Sequence, residues 1–415
     1  MLVGLTRTHV PVLTGGHGSL LAVSPATTSR AVGLFAGIGG IEVGLARAGW
    51  KTELVCEVDD SARRVLADKL PQVPLHDDVR TLGALPDCDL LAAGFPCQDL
   101  SQAGQTAGIA GSRSGLVGEV FRLLDEASPG PRWLLLENVS FMLSLDRGAA
   151  MRWLTEQLDA RGYTWAYRVV DSRAFGLPQR RQRVLLLASR GADPRSALFG
   201  EDQTSDEPED HGGILACGFY WTEGVRGLGW AVDAVPTLKG GSTIGIPSPP
   251  AIWFPESGHV GTPDIRDAER LQGFDPDWTV ASDALEKRRR TDRWKLMGNA
   301  VSVPVAQWLG ERLRTTDDYS DAGDRALGPR ERWPRAAWGR SGERYAVNVS
   351  MWPVRWAKPH LREFLQHETT PLSARATAGF LDRTRRGNLR ISQDLIRDVE
   401  AHLERMTIQP RLIAA

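Results

Sequence analysis

Between residues 30 and 189 the sequence alternates short apolar runs with amphipathic stretches, and this alternation limits the possible folds more than any other feature. Short apolar runs are typical of buried strands, and the intervening stretches have the spacing of helices that cover a sheet. The predicted strands are Ala31–Phe35, Glu53–Val58, Asp89–Ala93, Trp133–Glu137, Tyr163–Val170 and Val184–Ser189. The predicted helices are Ile41–Ala48, Ser61–Leu70, Leu116–Glu126, Ala150–Ala160, Ile265–Leu271, Ser302–Leu313 and Ser392–Met406. The pattern predicts an α/β fold with a mostly parallel sheet and helices on both faces.

The composition excludes several other classes of protein. Hydrophobic residues make up 42% of the chain and charged residues 24%, as in ordinary globular domains. We expect a cytoplasmic protein with no membrane segment, because no apolar run is long enough to cross a bilayer and no secretory leader is recognisable. The four cysteines form no CxxC pair, so we expect neither a disulfide framework nor a metal site. The net charge of −1 means that any nucleic-acid contact must be local.

Changes in composition along the chain divide it into segments. Residues 190–263 interrupt the regular pattern with an acidic stretch followed by sequence rich in Gly, Pro and Trp. The predicted division is an N-terminal extension (1–30), a catalytic domain (31–189), an irregular module (190–263), a returning part of the catalytic domain (264–316), a linker (317–328) and a C-terminal extension (329–415).

A glycine-rich turn and two acidic residues indicate a nucleoside site. The turn Phe35–Gly40 follows the first strand and opens a helix, where backbone can approach a ligand closely. Glu57 ends the second strand and could accept both hydroxyls of a ribose, and Asp78 could accept from an adenine amino group. A tight turn without a ligand and two solvated acids remain the alternative.

Cys97 is the candidate nucleophile. It follows the third predicted strand and is preceded by Pro96, which restricts the backbone. The loop from Gln98 to Arg113 is rich in Gly, Ser and Ala, so we expect it to move. Glu137 ends the neighbouring strand, which places a carboxylate at the same edge of the sheet. A structural cysteine in a turn is the alternative.

Six short blocks, in this order, resemble the motifs of the DNA (cytosine-5)-methyltransferase family of prokaryotes and phages. They are FAGIGG (35–40), PCQ (96–98), ENV (137–139), QRRQR (179–183), RLQGF (270–274) and GNAV (298–301), and they span roughly residues 31 to 313. Any one of them can occur by chance, but all six in order cannot reasonably do so.

The resemblance implies a Rossmann-like sheet, S-adenosyl-L-methionine as cofactor, and a covalent adduct between Cys97 and a cytosine flipped out of duplex DNA. Catalytic roles fall to Cys97, Glu137, Asn138, Arg181 and Arg183. The predicted cofactor residues are Phe35, Ala36, Gly37, Gly39, Gly40, Glu57, Val58, Asp78, Val79, Gly94, Pro96, Asn299 and Ala300. The predicted DNA contacts are Gln98, Ser101, Arg113, Arg226, Thr237 and Lys239, and residues 190–263 occupy the place of the family's target-recognition region.

The resemblance leaves other functions to be compared. An RNA cytosine-5 methyltransferase would share the fold, and a silent DNA-binding relative would keep it without activity; against the latter, Cys97, Glu137 and Arg181 are all present. A dinucleotide-dependent oxidoreductase is disfavoured because the glycines do not follow GxGxxG.

We expect a monomer that acts on duplex DNA, with a restriction endonuclease encoded nearby as a partner. The Arg- and Trp-rich C-terminal extension could contact DNA or bury its tryptophans in a core of its own.

Overall fold

The structure is a computed structural model of the chain, and it describes residues 28–95, 115–203, 214–240, 248–284, 291–315 and 318–413. Within these ranges no helix is both long and apolar enough to cross a membrane. The described residues likewise contain no group of three or more His, Cys, Asp or Glu side chains that could hold a metal ion.

In the described residues, ten strands form the main sheet in the order β14-β16-β15-β6-β8-β5-β4-β1-β2-β3. Neighbouring strands from β3 to β5 run parallel, so the predicted α/β fold is confirmed, with the parallel strands as the core of a mixed sheet. The strands of this sheet are β1 (Arg30–Leu34), β2 (Lys51–Cys56), β3 (Leu75–His76), β4 (Leu90–Ala93), β5 (Trp133–Val139), β6 (Thr164–Asp171), β8 (Gln182–Ser189), β14 (Arg325–Ala326), β15 (Ala336–Arg340) and β16 (Glu343–Ala346).

The other half of the sheet is antiparallel. β8 lies between β5 and β6 and runs antiparallel to both. The segment between β6 and β8 holds one 3-10 turn and the short strand β7 (Gln179–Arg180). A connection this short cannot carry the chain back across the sheet, which a parallel neighbour would require. The reversal places the start of β8 next to the end of β5.

Helices cover both faces of the main sheet, as predicted. On one face α3 (Leu116–Glu126) and α4 (Ala149–Ala160) pack on the sheet, and on the other face α1 (Gly40–Arg47), α5 (Pro194–Phe199) and α8 (Val303–Arg312) do so. The remaining helices are α2 (Asp60–Lys69), α6 (Ile265–Arg270), α7 (Thr291–Asn299), α9 (Leu361–Phe364), α10 (Ala374–Arg386) and α11 (Gln393–Ile413).

The segment after the irregular module packs back onto the start of the chain. A Cβ at Gly44 of α1 would lie 2.5 Å from the carbonyl oxygen of Val303 in α8, so the two helix backbones approach closely. The indole of Trp50 also donates to the carbonyl of Gly310 at 2.9 Å. This packing carries residues 298–301 to the edge of the sheet where the glycine turn lies.

A second, five-stranded sheet joins the irregular module to the C-terminal extension. Its order is β10-β9-β12-β13-β17, and its strands are β9 (Cys217–Phe219), β10 (Ala231–Val232), β12 (Ala251–Phe254), β13 (His259–Thr262) and β17 (Thr370–Pro371). A separate short strand, β11 (Val235–Pro236), pairs in parallel with β7. Helices α10 and α11 cover one face of this sheet, and one core contains Phe219, Phe380 and Val399.

Three tryptophans of the C-terminal extension, Trp333, Trp338 and Trp352, are buried, but they lie in the core of the main sheet and not in a core of their own, as the second alternative had it. Trp333 packs on one face of that sheet, and Trp338 and Trp352 pack on the other. The strand β14 begins within the segment predicted as a linker. The C-terminal extension is therefore shared between the two sheets.

Candidate active site

The glycine turn joins β1 to α1 through three residues with positive φ. These are Phe35 (φ 56°), Gly37 (φ 57°) and Gly39 (φ 88°). A positive φ is strained for a residue with a side chain, and strain of this kind is common at binding sites. No heavy atom lies within 4 Å of a Cβ built on Gly37, so the turn leaves open space there. By contrast, a Cβ at Gly40 would collide with the carbonyl of Val301, which explains why a glycine stands at position 40.

Glu57 supports the glycine turn by accepting hydrogen bonds from the backbone. One carboxylate oxygen accepts the backbone N–H of Gly37 at 2.7 Å, and the other accepts the backbone N–H of Asp59 at 2.8 Å. Burial raises the pKa of Glu57, and these two backbone hydrogen bonds oppose the increase. Each oxygen keeps a lone pair for a further donor.

One cavity of about 330 Å³ connects the glycine turn, the end of β5 and the returning segment. Its volume is within the range of small-molecule sites. The predicted site residues that line it are Phe35, Gly37, Glu57, Val58, Gly94, Glu137, Asn138, Arg183 and Asn299. Ile38, Asp59, Ala62, Phe95, Leu116, Val139, Leu296 and Gly298 complete the lining. Val58 has 60% of its surface exposed, which gives the cavity an apolar surface beside Glu57.

Several predicted cofactor residues lie beside the cavity and not on its wall. Ala36, Val79 and Ala300 are buried in packing, and Gly39 and Gly40 form the start of α1. The carboxylate of Asp78 binds Arg80 at 2.6 Å, and this hydrogen bond lowers its pKa to about 2. In the described part of the chain Asp78 is therefore engaged by Arg80, and its role toward a cofactor stays a prediction.

Glu137 is held at the cavity by β5 and β8. Glu137 Oε1 lies 3.1 Å from Nε of Arg183. The side chain is 6% exposed, and burial raises its pKa, while the charges of Arg183 and Arg181 oppose the increase. The next residue, Asn138, donates to the carbonyl of Phe95 at 2.9 Å. This contact fixes Phe95, which stands two positions before Cys97, at the cavity wall.

Arg181 braces two backbone segments that are distant from it in the sequence. It is 1% exposed, and its two Nη groups donate to the carbonyls of Leu238 (3.4 Å), Gly298 (3.1 Å) and Ala300 (2.6 Å). Its Nε has no hydrogen-bond partner among the described residues. Burial lowers the pKa of Arg181, and the neighbouring charge of Arg183 lowers it further. Arg181, the second arginine of the QRRQR block, thus holds the returning segment against the irregular module.

Gln179 and Gln272 brace the same region. The Gln179 amide donates to Leu271 and accepts from the backbone N–H of Leu238, at 2.8 and 3.0 Å. Gln272 donates to the carbonyl of Met297 at 2.9 Å. The glutamines of the QRRQR and RLQGF blocks therefore position backbone at the cavity edge.

The predicted DNA contacts that the structure describes lie on the irregular module (190–263). Arg226 is exposed in the loop 220–230 between β9 and β10. The Thr237 hydroxyl donates to the carbonyl of Arg180 at 2.8 Å. Lys239 pairs with Glu223, and its Nζ lies 3.5 Å from the ring centroid of Tyr220.

Two buried polar side chains near the site were not predicted. The Tyr220 hydroxyl has no hydrogen-bond partner among the described residues, and its pKa is raised by burial first, with Arg181 and Arg183 opposing the rise. Glu42, in the first turn of α1, is buried and also lacks a described partner for either oxygen. A carboxylate at a helical position that should face the sheet is the sequence signal that could have identified Glu42.

Five predicted site residues lie outside the described residues: Pro96, Cys97, Gln98, Ser101 and Arg113. The three cysteines that the structure describes, Cys56, Cys88 and Cys217, are buried. Burial raises the pKa of Cys56 and of Cys88 to about 12, which disfavours a nucleophilic thiolate at either position.

Known proteins of one family resemble the chain. The family described as C-5 cytosine-specific DNA methylase matches residues 29–216. The Type II methyltransferase M2.BsuMI of Bacillus subtilis strain 168 is 49% identical over 382 residues, which cover 89% of this chain and 97% of that protein. The Type II methyltransferase M.BsuFI of Bacillus subtilis is 37% identical over 317 residues, covering 68% of this chain and 72% of its own length. The chain therefore belongs to the C-5 cytosine-specific DNA methylases, and the family predicted from its six motif blocks is confirmed.

Proposed function

We propose that the protein methylates carbon 5 of a cytosine within a specific duplex DNA sequence, through a covalent bond between Cys97 and the base. Cytosine-5 methylation of DNA is the activity of its family. One observation supports the proposed covalent mechanism: Glu57, Glu137 and Arg183 line a single cavity together with Phe95, which stands two residues before Cys97.

The cavity fits S-adenosyl-L-methionine. Glu57 has lone pairs free beside its two backbone donors and would bind the ribose hydroxyls. Val58 would contact the adenine ring, and the open space at Gly37 would admit the methionine part against the backbone. When bound, S-adenosyl-L-methionine supplies an electrophilic methyl group on a sulfonium centre.

The thiolate of Cys97 activates the base. Carbon 5 of cytosine is a weak nucleophile, and bonding of the Cys97 sulfur to carbon 6 moves the electrons of the 5,6 double bond toward carbon 5. After methylation, carbon 5 loses its proton to a base, the 5,6 double bond re-forms, and the sulfur departs as thiolate.

Glu137 would stabilise the charge that this addition develops on the ring. A protonated carboxyl can donate to ring nitrogen 3, and protonation near neutral pH requires a raised pKa. The burial of Glu137 acts in that direction. Arg183, 3.1 Å away, would hold the carboxyl in place and face the base or its phosphate.

The target cytosine must leave the duplex to reach this cavity, at a cost of a few kcal/mol that contacts to DNA offset. Thr237, Lys239 and Arg226 would supply part of those contacts from the irregular module, and Gln98, Ser101 and Arg113 would supply others from the sequence after Cys97. Because its relatives are named as Type II methyltransferases, we propose that the protein acts as the protective partner of a restriction endonuclease. We further propose that it acts as a monomer.

Bisulfite sequencing of DNA from a methylation-free bacterial host tests the proposal. Cells that express the wild type should carry 5-methylcytosine at one recurrent sequence, and cells that express Cys97→Ser should carry none. Cys88→Ser, at a buried structural cysteine, is the matched control and should keep the wild-type pattern. Unmodified DNA together with methylated transfer RNA in the wild-type cells would refute the proposal in favour of an RNA substrate.

A further inference from the structure

The C-terminal extension forms one layer of the irregular module, which the proposed function places against DNA. Strand β17 pairs with β13 and so completes the five-stranded sheet. Phe380 of α10 packs on Phe219 of β9, with ring centroids 5.0 Å apart. The indole of Trp253 donates to Asp398 of α11 at 3.0 Å. Helices α10 and α11 are therefore part of the core of this module.

The end of α10 contacts the loop 220–230. Arg383 donates through Nη2 to the carbonyl of Trp221 at 2.7 Å and through Nε to the carbonyl of Glu223 at 3.2 Å. At the next loop residue, Gly224, the backbone has φ 135°, and a Cβ there would lie 3.2 Å from Thr384. Gly387 lies so close that a Cβ on it would be 2.5 Å from the carbonyl oxygen of Gly224. The loop rests directly on the helix end.

The same loop connects to the segment beside the catalytic cavity. Glu223 pairs with Lys239, and Lys239 also lies over the ring of Tyr220. A Cβ on Gly298 would lie 2.1 Å from the backbone nitrogen of Gly240, so the residue after Lys239 touches the returning segment. A contact path thus runs from Arg383 through the loop to the edge of the cofactor cavity.

The exposed side of this loop carries the groups that would read DNA. Arg226 is exposed and Val225 is 48% exposed, while the strands that flank the loop, β9 and β10, contain only three and two residues. Strands this short restrain a loop weakly, so its conformation depends on contacts from outside the sheet. Arg383 supplies two such contacts, both with a charged donor, which are among the stronger hydrogen bonds in proteins.

We infer that Arg383 is a positioning residue for sequence recognition: it fixes the loop 220–230 so that Arg226 and Lys239 meet the DNA in one register. The inference rests on the proposed function, because it assigns part of the specificity of that reaction to the C-terminal helix. It predicts that loss of Arg383 relaxes the choice of sequence more than it slows methylation.

The test compares Arg383→Ala with Arg385→Ala. The guanidinium of Arg385 pairs with Glu400 in α11 and, among the described residues, makes no hydrogen bond with the loop. Initial methylation rates are measured on the duplex identified by bisulfite sequencing and on duplexes with one substituted base pair. One substituted base pair ordinarily weakens specific DNA binding about fivefold to more than a hundredfold. The specificity ratio is the rate on the identified duplex divided by the rate on a substituted duplex. We expect Arg383→Ala to lower this ratio at least tenfold, Arg383→Lys to restore part of it, and Arg385→Ala to keep it.

Affinity for S-adenosyl-L-methionine should stay within twofold of wild type in every variant, which separates loop positioning from a loss of folded protein. A wild-type ratio in Arg383→Ala, or an equal slowing on all duplexes, would overturn the inference. If Arg383→Ala does not fold, Arg383→Lys is the variant that tests the inference. A lysine lacks the guanidinium that binds the two loop carbonyls, so a wild-type ratio in Arg383→Lys would also overturn the inference. A wild type that methylates no duplex would instead overturn the proposed function, and this inference with it.

Discussion

Replacing Glu42 by glutamine should change how the stability of the protein depends on pH. Glu42 is 2% exposed, and neither of its oxygens has a hydrogen-bond partner among the described residues. Burial raises its pKa from 4.5 to about 7, and the charge of Glu57 adds to the increase. One pKa unit corresponds to about 1.4 kcal/mol, so a pKa moved from 4.5 to about 7 means that the ionised carboxylate costs about 3 kcal/mol of folding free energy.

The direction of this pH dependence follows from proton binding. Between pH 4.5 and about 7 the folded protein holds a proton on Glu42 that the unfolded chain has released. The stabilisation is complete below pH 4.5 and is lost as the pH rises through the folded value. Glutamine has nearly the same shape and cannot ionise. We expect Glu42→Gln to lie within about 1 kcal/mol of wild type at pH 5 and to be more stable at pH 8 by most of that 3 kcal/mol.

Urea denaturation followed by tryptophan fluorescence at pH 5, 6, 7 and 8 measures this difference. Subtracting the wild-type free energy of unfolding from that of the variant removes the contributions of all other titrating groups. Glu156→Gln, at an exposed position of α4, is the matched control and should follow the wild-type curve. Parallel curves for Glu42→Gln and wild type across this range would refute the reasoning.

Three further substitutions test the site. Glu57→Ala should weaken S-adenosyl-L-methionine binding about tenfold to a hundredfold, since it removes charged hydrogen bonds; unchanged affinity in titration calorimetry would remove Glu57 from the cofactor site. Arg181→Met leaves three backbone carbonyls without their donor and should cost at least about 3 kcal/mol; an unchanged urea midpoint would contradict its role as a brace. Tyr220→Phe removes a buried hydroxyl that has no hydrogen-bond partner among the described residues, so the urea midpoint should stay the same or rise; a loss of more than about 1 kcal/mol would show that this hydroxyl is paired.

Periodicity predicted six of the ten described strands of the main sheet and four of the five helices that cover it. The strands β3, β14, β15 and β16 and the helix α5 were not predicted. The predicted helix at Leu116–Glu126 has the observed bounds, and most of the other predicted elements differ from the observed ones by one or two residues at an end. The direction of β8 was not predicted, because a buried strand shows the same apolar run whether its neighbours are parallel or antiparallel. The short connection from β6 was the available signal.

The candidate site could be predicted where a motif presents a side chain to the cavity, as with Glu57 and Glu137. The bracing of Gln179 and Arg181 could not, because their partners are main-chain carbonyls and amides far along the chain, and such hydrogen bonds leave no pattern in the sequence. For the same reason the contact of Arg383 with the loop 220–230 becomes visible only in three dimensions.

The bond between the sulfur of Cys97 and the target base is the central claim, and trapping it tests the claim most directly. The probe is a duplex that carries the bisulfite-defined sequence with 5-fluorocytosine at the target position, since fluorine at carbon 5 cannot leave as a proton and the sulfur is then retained. With S-adenosyl-L-methionine present, wild-type protein should gain the mass of the DNA in denaturing mass spectrometry, with the modified peptide containing Cys97, and Cys97→Ser should gain none. Methylation of the ordinary duplex without any adduct on the fluorinated one, or an adduct at another residue, would contradict it.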